Sequence, residues 1–92
     1  MTEAELVALG NNATTKEQIQ MFLEACLEEY EKNVQSGMTR TQAADTFQQR
    51  VDASTTSGTC DAECQKQYTQ CLITNPPEVC AQQRTTCLAN CT

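Results

Sequence analysis

Six of the seven cysteines fall in two clusters that mirror each other. Cys60, Cys64 and Cys71 read C-x3-C-x6-C, and Cys80, Cys87 and Cys91 read C-x6-C-x3-C. Cysteine sulfur supports three chemistries: a bridge to another sulfur, a thiolate ligand for a metal, or redox exchange. Thiolate metal sites draw on C-x2-C turns and often on histidine; this chain has no such turn and no His. Redox catalysis uses an accessible C-x2-C at a helix start, and Cys60 and Cys64 are one residue too far apart for that. Bridging is therefore the expected role, with no metal and no cofactor.

The mirror symmetry says which bridges form. On a helix, offsets of 4 and 11 residues rotate the side chain by about 40° and about 20° net, so Cys60, Cys64 and Cys71 share one face. Cys80, Cys87 and Cys91 do the same on a second helix. Residues that oppose each other across an antiparallel hairpin have residue numbers of constant sum. The nested set Cys60–Cys91, Cys64–Cys87 and Cys71–Cys80 meets that condition, and no other connectivity of these six does. Between the clusters, "NPPE" supplies a turn in which Asn75 is the expected N-cap of the second helix, with Pro76 at its first position and Glu78 at its third. Thr59 is the expected cap of the first, with Asp61 and Glu63 complementing its dipole.

Cys60-x3-Cys64 facing Cys87-x3-Cys91 resembles the twin C-x3-C motif of the small Tim chaperones of the mitochondrial intermembrane space. The likeness covers residues 60–91 and implies outer-with-outer and inner-with-inner pairing, and entry without a cleaved leader. The Cys71/Cys80 pair is additional here, and the 22 residues between Cys64 and Cys87 exceed that family's usual gap. The pattern is also similar to the α-hairpinin peptides of plants, with an extra rung and a longer N-terminal extension.

Ahead of the clusters, helix signals recur. Thr2 with Glu5 reads as a capping box, Met1 with Leu6 as a hydrophobic staple, and Gly10 as the closing residue of a short helix that buries Leu6, Val7 and Leu9. A long helix is expected over 16–35, with Thr15 and Gln18 at its start and Gly37 just beyond its end. Ile19, Phe22, Leu23, Cys26, Leu27, Tyr30 and Val34 form one stripe on it, while Glu17, Glu24, Glu28 and Glu31 form a solvated opposite face. A third helix runs from Thr39 to about Asp52 with a thin face of Ala43, Ala44, Phe47 and Val51. The fold class expected is all-α: a helical half over 1–52, a polar linker over 53–59 and a disulfide-laddered hairpin over 60–92. Tyr68, Leu72, Val79 and Leu88 are expected to share the core with the stripe.

Composition narrows the role. Ninety-two residues with 4% aromatics and no Trp make a small core, and a chain this short buries only about 60–65% of its unfolded surface. Covalent staples are the usual supplement, and so many cysteines point to an oxidising compartment. A net charge of −6 without a basic cluster repels nucleic acid and anionic membrane surfaces. No apolar run reaches the length of a membrane span. "MTEAELVALG" lacks the apolar core of a signal peptide, so export requires either a leader removed upstream or a route without one.

No catalytic residues are expected. There is no nucleophile–base set, the three glycines are isolated, and the paired carboxylates sit on a wet face. The expected function is protein–protein binding by a non-enzymatic, secreted or extracytoplasmic protein: a ligand, effector or inhibitor. Two alternatives stand beside it. One is a virion, filament or envelope subunit that self-associates, possible as a homodimer, through Ile19, Phe22, Leu23, Leu27, Tyr30 and Val34. The other is an intermembrane-space chaperone. Cys26 is either a packed free thiol or an intermolecular bridge, and Asn12, in Asn12-Ala13-Thr14, is a candidate glycan site.

Overall fold

Threonine hydroxyls start four helices. The computed structural model describes residues 1–91 as α1 (Glu3–Asn11), α2 (Lys16–Gln35), α3 (Arg40–Asp52), α4 (Cys60–Thr74) and α5 (Pro77–Ala89). Thr92, the last residue of the expected hairpin, lies outside the described residues. Thr2, Thr15, Thr39 and Thr59 accept from the backbone N–H of Glu5, Gln18, Gln42 and Ala62, each cap contributing about 1 kcal/mol. Thr15 and Gln18 complete a reciprocal capping box. α2 ends in a Schellman turn: Gly37 at φ 108° donates to the Val34 carbonyl and Met38 to that of Asn33, a conformation that favours glycine.

Two local expectations are corrected. Gly10 does not close α1; it lies inside the helix, and Asn12 is the C-cap. Its lack of a side chain serves packing instead. A Cβ there would stand 2.6 Å from Phe22 Cε1 and 2.9 Å from Ser54 Cβ, and the Phe22 ring is buried. Asn75 does not cap α5 either. It terminates α4, donating its N–H to the Cys71 carbonyl. Pro76, extended at ψ 147°, is the N-cap and Pro77 the first helical residue. The second proline explains this, because its ring excludes the preceding residue from helical dihedrals.

Two clusters make the core. Phe22, Leu23, Cys26, Phe47 and Val51 meet Leu6, Ala13 and Ala62 in the first. In the second, Tyr30, Ala43, Ala44, Leu72 and Cys80 are flanked by Val34, Met38, Tyr68 and Ile73. Neighbouring helices pack in the order α2 on α3, α3 on α4 and α4 on α5, with α1 against α2 and α3. The N-terminal half thus docks on the hairpin within one chain. The thin face of α3 is what permits it: Ala43 and Ala44 are fully buried, as is Ala62 on α4, and small side chains let helix axes approach. Val79, expected in the core, is exposed, as is Val7, while Leu88 is half-buried. The molecule is a slab of 32 × 31 × 16 Å, about half as thick as it is wide.

The polar stretch before α4 is not slack. Thr56 is fully buried, and Ser54 Oγ donates to the Val51 carbonyl and lies 2.7 Å from Thr56 Oγ1. The Thr55 N–H and hydroxyl both reach the Gly10 carbonyl, at 3.2 and 2.8 Å. Short hydroxyl residues satisfy their own backbone and can therefore be buried. On the surface, Arg50 holds Glu29 through Nε at 3.0 Å and Glu3 through Nη1 at 3.2 Å. The Glu29 hydrogen bond raises the Arg50 pKa against its partial burial.

Gly10→Ala tests the close approach of α1. In an open helix the change adds roughly 1 kcal/mol of stability; here it is expected to remove about 1–3 kcal/mol by overpacking. Denaturant unfolding of the two proteins gives the sign.

Candidate functional site

The chemistry-bearing residues converge on the α4–α5 hairpin. Its three disulfides are Cys60–Cys91, Cys64–Cys87 and Cys71–Cys80, with Cα separations of 5.5, 5.7 and 5.6 Å. The near-constant spacing means that the two helices run side by side without splaying. Burial is uneven along the ladder. Cys80 is fully buried in the second core cluster and Cys64 is buried beneath the first helical turn, while Cys60 is exposed at the open end. At that end the two rungs touch: Cys64 Sγ lies 3.5 Å from Cys91 Sγ. The sulfurs of Cys60, Cys64 and Cys91 all fall within 4.8 Å of one another. All three are committed to disulfides, and a metal thiolate site needs free sulfur.

The ladder carries a helix that packing alone would not hold. Cys80 is the single buried residue of α5, and the α5 backbone neighbours α4 only. The polar positions between rungs contribute one further contact, the Arg84 guanidinium 3.9 Å over the Tyr68 ring, of a kind that contributes about 0.5–2 kcal/mol. Where the end of α5 meets α2 there is a groove of about 410 Å³ lined by Lys16, Gln20, Leu23, Glu24, Asp61, Gln65 and Leu88. Lys16 Nζ donates to the Cys91 carbonyl at 3.1 Å and stands 3.9 Å from Asp61. Gln65 Oε1 is buried with no hydrogen-bond partner among the described residues. Sequence reasoning had no signal for Lys16, Asp61 and Gln65, because only the crossing of α2 over α4 brings them together.

No protein family matches this chain, and neither does any curated protein or solved structure. The twin C-x3-C likeness therefore rests on spacing.

The α2 stripe is covered by the chain itself. Phe22, Leu23 and Tyr30 are buried, and Ile19, Leu27 and Val34 are half-buried against the same two clusters. Cys26 is a free thiol with no exposed surface. Burial, and then the nearby Glu29 carboxylate, push its pKa from 9.0 to about 12, with Arg50 opposing. A bridge from Cys26 to a second chain would require the thiol to leave the α2–α3 core. Asn12 is exposed, and its side-chain Nδ2 donates to the Ala8 carbonyl at 2.8 Å. Glu17, Glu24, Glu28 and Glu31 are all exposed.

Two outcomes follow from this burial pattern. Cys26 should resist iodoacetamide at pH 8 until denaturant is added. Its raised folded-state pKa also makes stability fall as pH rises from 9.0 towards 12, by about 1.4 kcal/mol per pH unit. Tyr30, pushed up chiefly by burial, titrates in the same direction, so comparing slopes of wild type and Cys26→Ala isolates the thiol. Along the ladder, Cys71→Ala/Cys80→Ala should cost more than Cys60→Ala/Cys91→Ala, although its loop is shorter, because Cys80 is a core side chain. Urea midpoints of the two variants give the order.

Proposed function

We propose that the chain is a non-enzymatic, secreted or extracytoplasmic protein that acts by binding another protein. The observation that carries this reading is α5: three covalent links hold rigid a helix with one buried residue. Rigidity fixed in advance lowers the entropic cost of association, and a stapled helix open to solvent on most of its surface is a binding scaffold. The exposed Val79, Gln82, Gln83 and Thr86 share one face of α5 and supply apolar and polar contacts. The disulfides are compatible with an oxidising compartment, and among the described residues no helix is long and apolar enough to cross a membrane. A net charge of −6 favours partners with a neutral or basic contact surface.

Self-association through the α2 stripe has no support from its burial, since those side chains already fill the core. The chaperone reading requires an exposed apolar surface for unfolded clients, and the large apolar side chains most open to solvent, Met1, Val7, Met21 and Val79, are spread over four segments.

A photo-crosslinking residue at Gln83, compared with one at the exposed Ala8 on α1, a helix that neighbours α2 and α3 but not the hairpin, tests the assignment in extracellular fluid of the source. A discrete heterologous adduct is expected from Gln83 in the oxidised protein, absent from Ala8 and lost on full reduction. Adducts only between copies of the chain, or equal labelling from both positions, would overturn it.

A further inference from the structure

The contact between the two outer rungs has a chemical consequence independent of any partner. We propose that the open end of the ladder is a thiol–disulfide exchange site for a small-molecule thiol, at which reduction of Cys60–Cys91 passes to Cys64 and appears as free thiols on Cys60 and Cys87. Cys60 is an exposed residue and lines a shallow pocket with Lys16, Ile19, Thr59, Asp61 and Cys91, which gives a small thiol a way to its sulfur. An incoming thiolate RS⁻ attacks Cys60 Sγ, the Cys60–Cys91 bond breaks, and Cys91 leaves as thiolate. A second RS⁻ removes the first as RSSR and leaves Cys60 as thiolate. Two electrons have then entered the protein.

The Cys91 thiolate so formed already touches its next target. Cys64 Sγ is 3.5 Å away, van der Waals contact for two sulfurs, and holding reactants at such a distance makes exchange effectively unimolecular. Attack forms Cys64–Cys91 and breaks Cys64–Cys87, and the Cys87 sulfur departs and takes a proton from water. The cluster of three mutually close sulfurs does not include Cys87, so the freed thiol is not placed to join Cys60. Cys60 is the first residue of α4, directly after the Thr59 cap, and a helix N-terminus favours a thiolate. The Lys16 ammonium on the same rim offsets the Asp61 carboxylate. The inner rung is outside this relay, with Cys80 enclosed in the core.

Partial reduction followed by alkylation and peptide mapping tests the proposal on the wild-type protein. At pH 3 a limiting phosphine opens bridges while thiolate exchange is frozen, and Cys60 and Cys91 should be alkylated. With glutathione at pH 8 the second label should move from Cys91 to Cys87, with a Cys64–Cys91 peptide pair. Labels on Cys60 and Cys91 at both pH values would overturn the relay, as would first opening of Cys71–Cys80. Cys60→Ser supplies a second test without reductant: Cys64–Cys91 with an alkylatable Cys87 is expected, whereas retention of Cys64–Cys87 with a free Cys91 rejects the transfer.

Discussion

Three sulfur–sulfur bonds that join α4 to α5 and to Cys91 just beyond its end do what apolar surface does in larger domains. α5 exposes most of its residues and contributes one buried side chain, itself a cysteine. Without the bridges the helix would have an ion–ring contact and little else to hold it against α4. Each bridge contributes about 2–4 kcal/mol, and less in sum because the closed loops are nested. Through Cys80 and Leu72 the ladder also enters the second core cluster, so the covalent and the packed parts of the molecule share side chains. The result is one body in which the oxidised hairpin is a wall of the core.

The rest of the architecture follows from how little apolar volume there is to arrange. With two Phe, two Tyr and no Trp, the helices must come close to fill the space between them. Alanines on α3 and α4 and a glycine inside α1 allow this, with Phe22 seated where a Gly10 side chain would be. Hydroxyl residues then take over work at the junctions: four threonines start helices, and the Ser54–Thr56 segment folds on itself and ties α1 to the end of α3. Arg50, linking α1 and α2 to α3, closes the edge of the same cluster.

Much of this is legible in the residues, and the boundary is physical. Spacing on a helix fixes where sulfurs point, so the three pairings could be derived from residue numbers alone. The threonine caps and the α2 stripe were equally readable, since both are local. What escaped depended on contacts between distant segments or on competition between neighbours. Gly10 has the composition of a helix end and acts as a seat for Phe22. Asn75 is a good cap residue, but two successive prolines shift the start of α5 by one position. Val79 shares its face of α5 with Gln82, Gln83 and Thr86 and has nothing apolar to meet, because α5 neighbours α4 alone. The stripe reads both as core and, in one alternative, as a surface for a second copy; that α3 and α4 lie over it is recorded by no pattern within α2.

The even ladder also makes the chain mechanically two-phase. Pulled by its ends, the segment before Cys60 is held by packing and hydrogen bonds and can pay out as unfolded polymer. From Cys60 to Cys91 the chain covers 31 residue steps, a contour of roughly 110 Å at ~3.5 Å per residue. The outermost bridge pins that length to a Cα separation of 5.5 Å. While oxidised, the hairpin is a hard bead on an extensible thread, and breaking its first bridge releases slack only as far as the next rung.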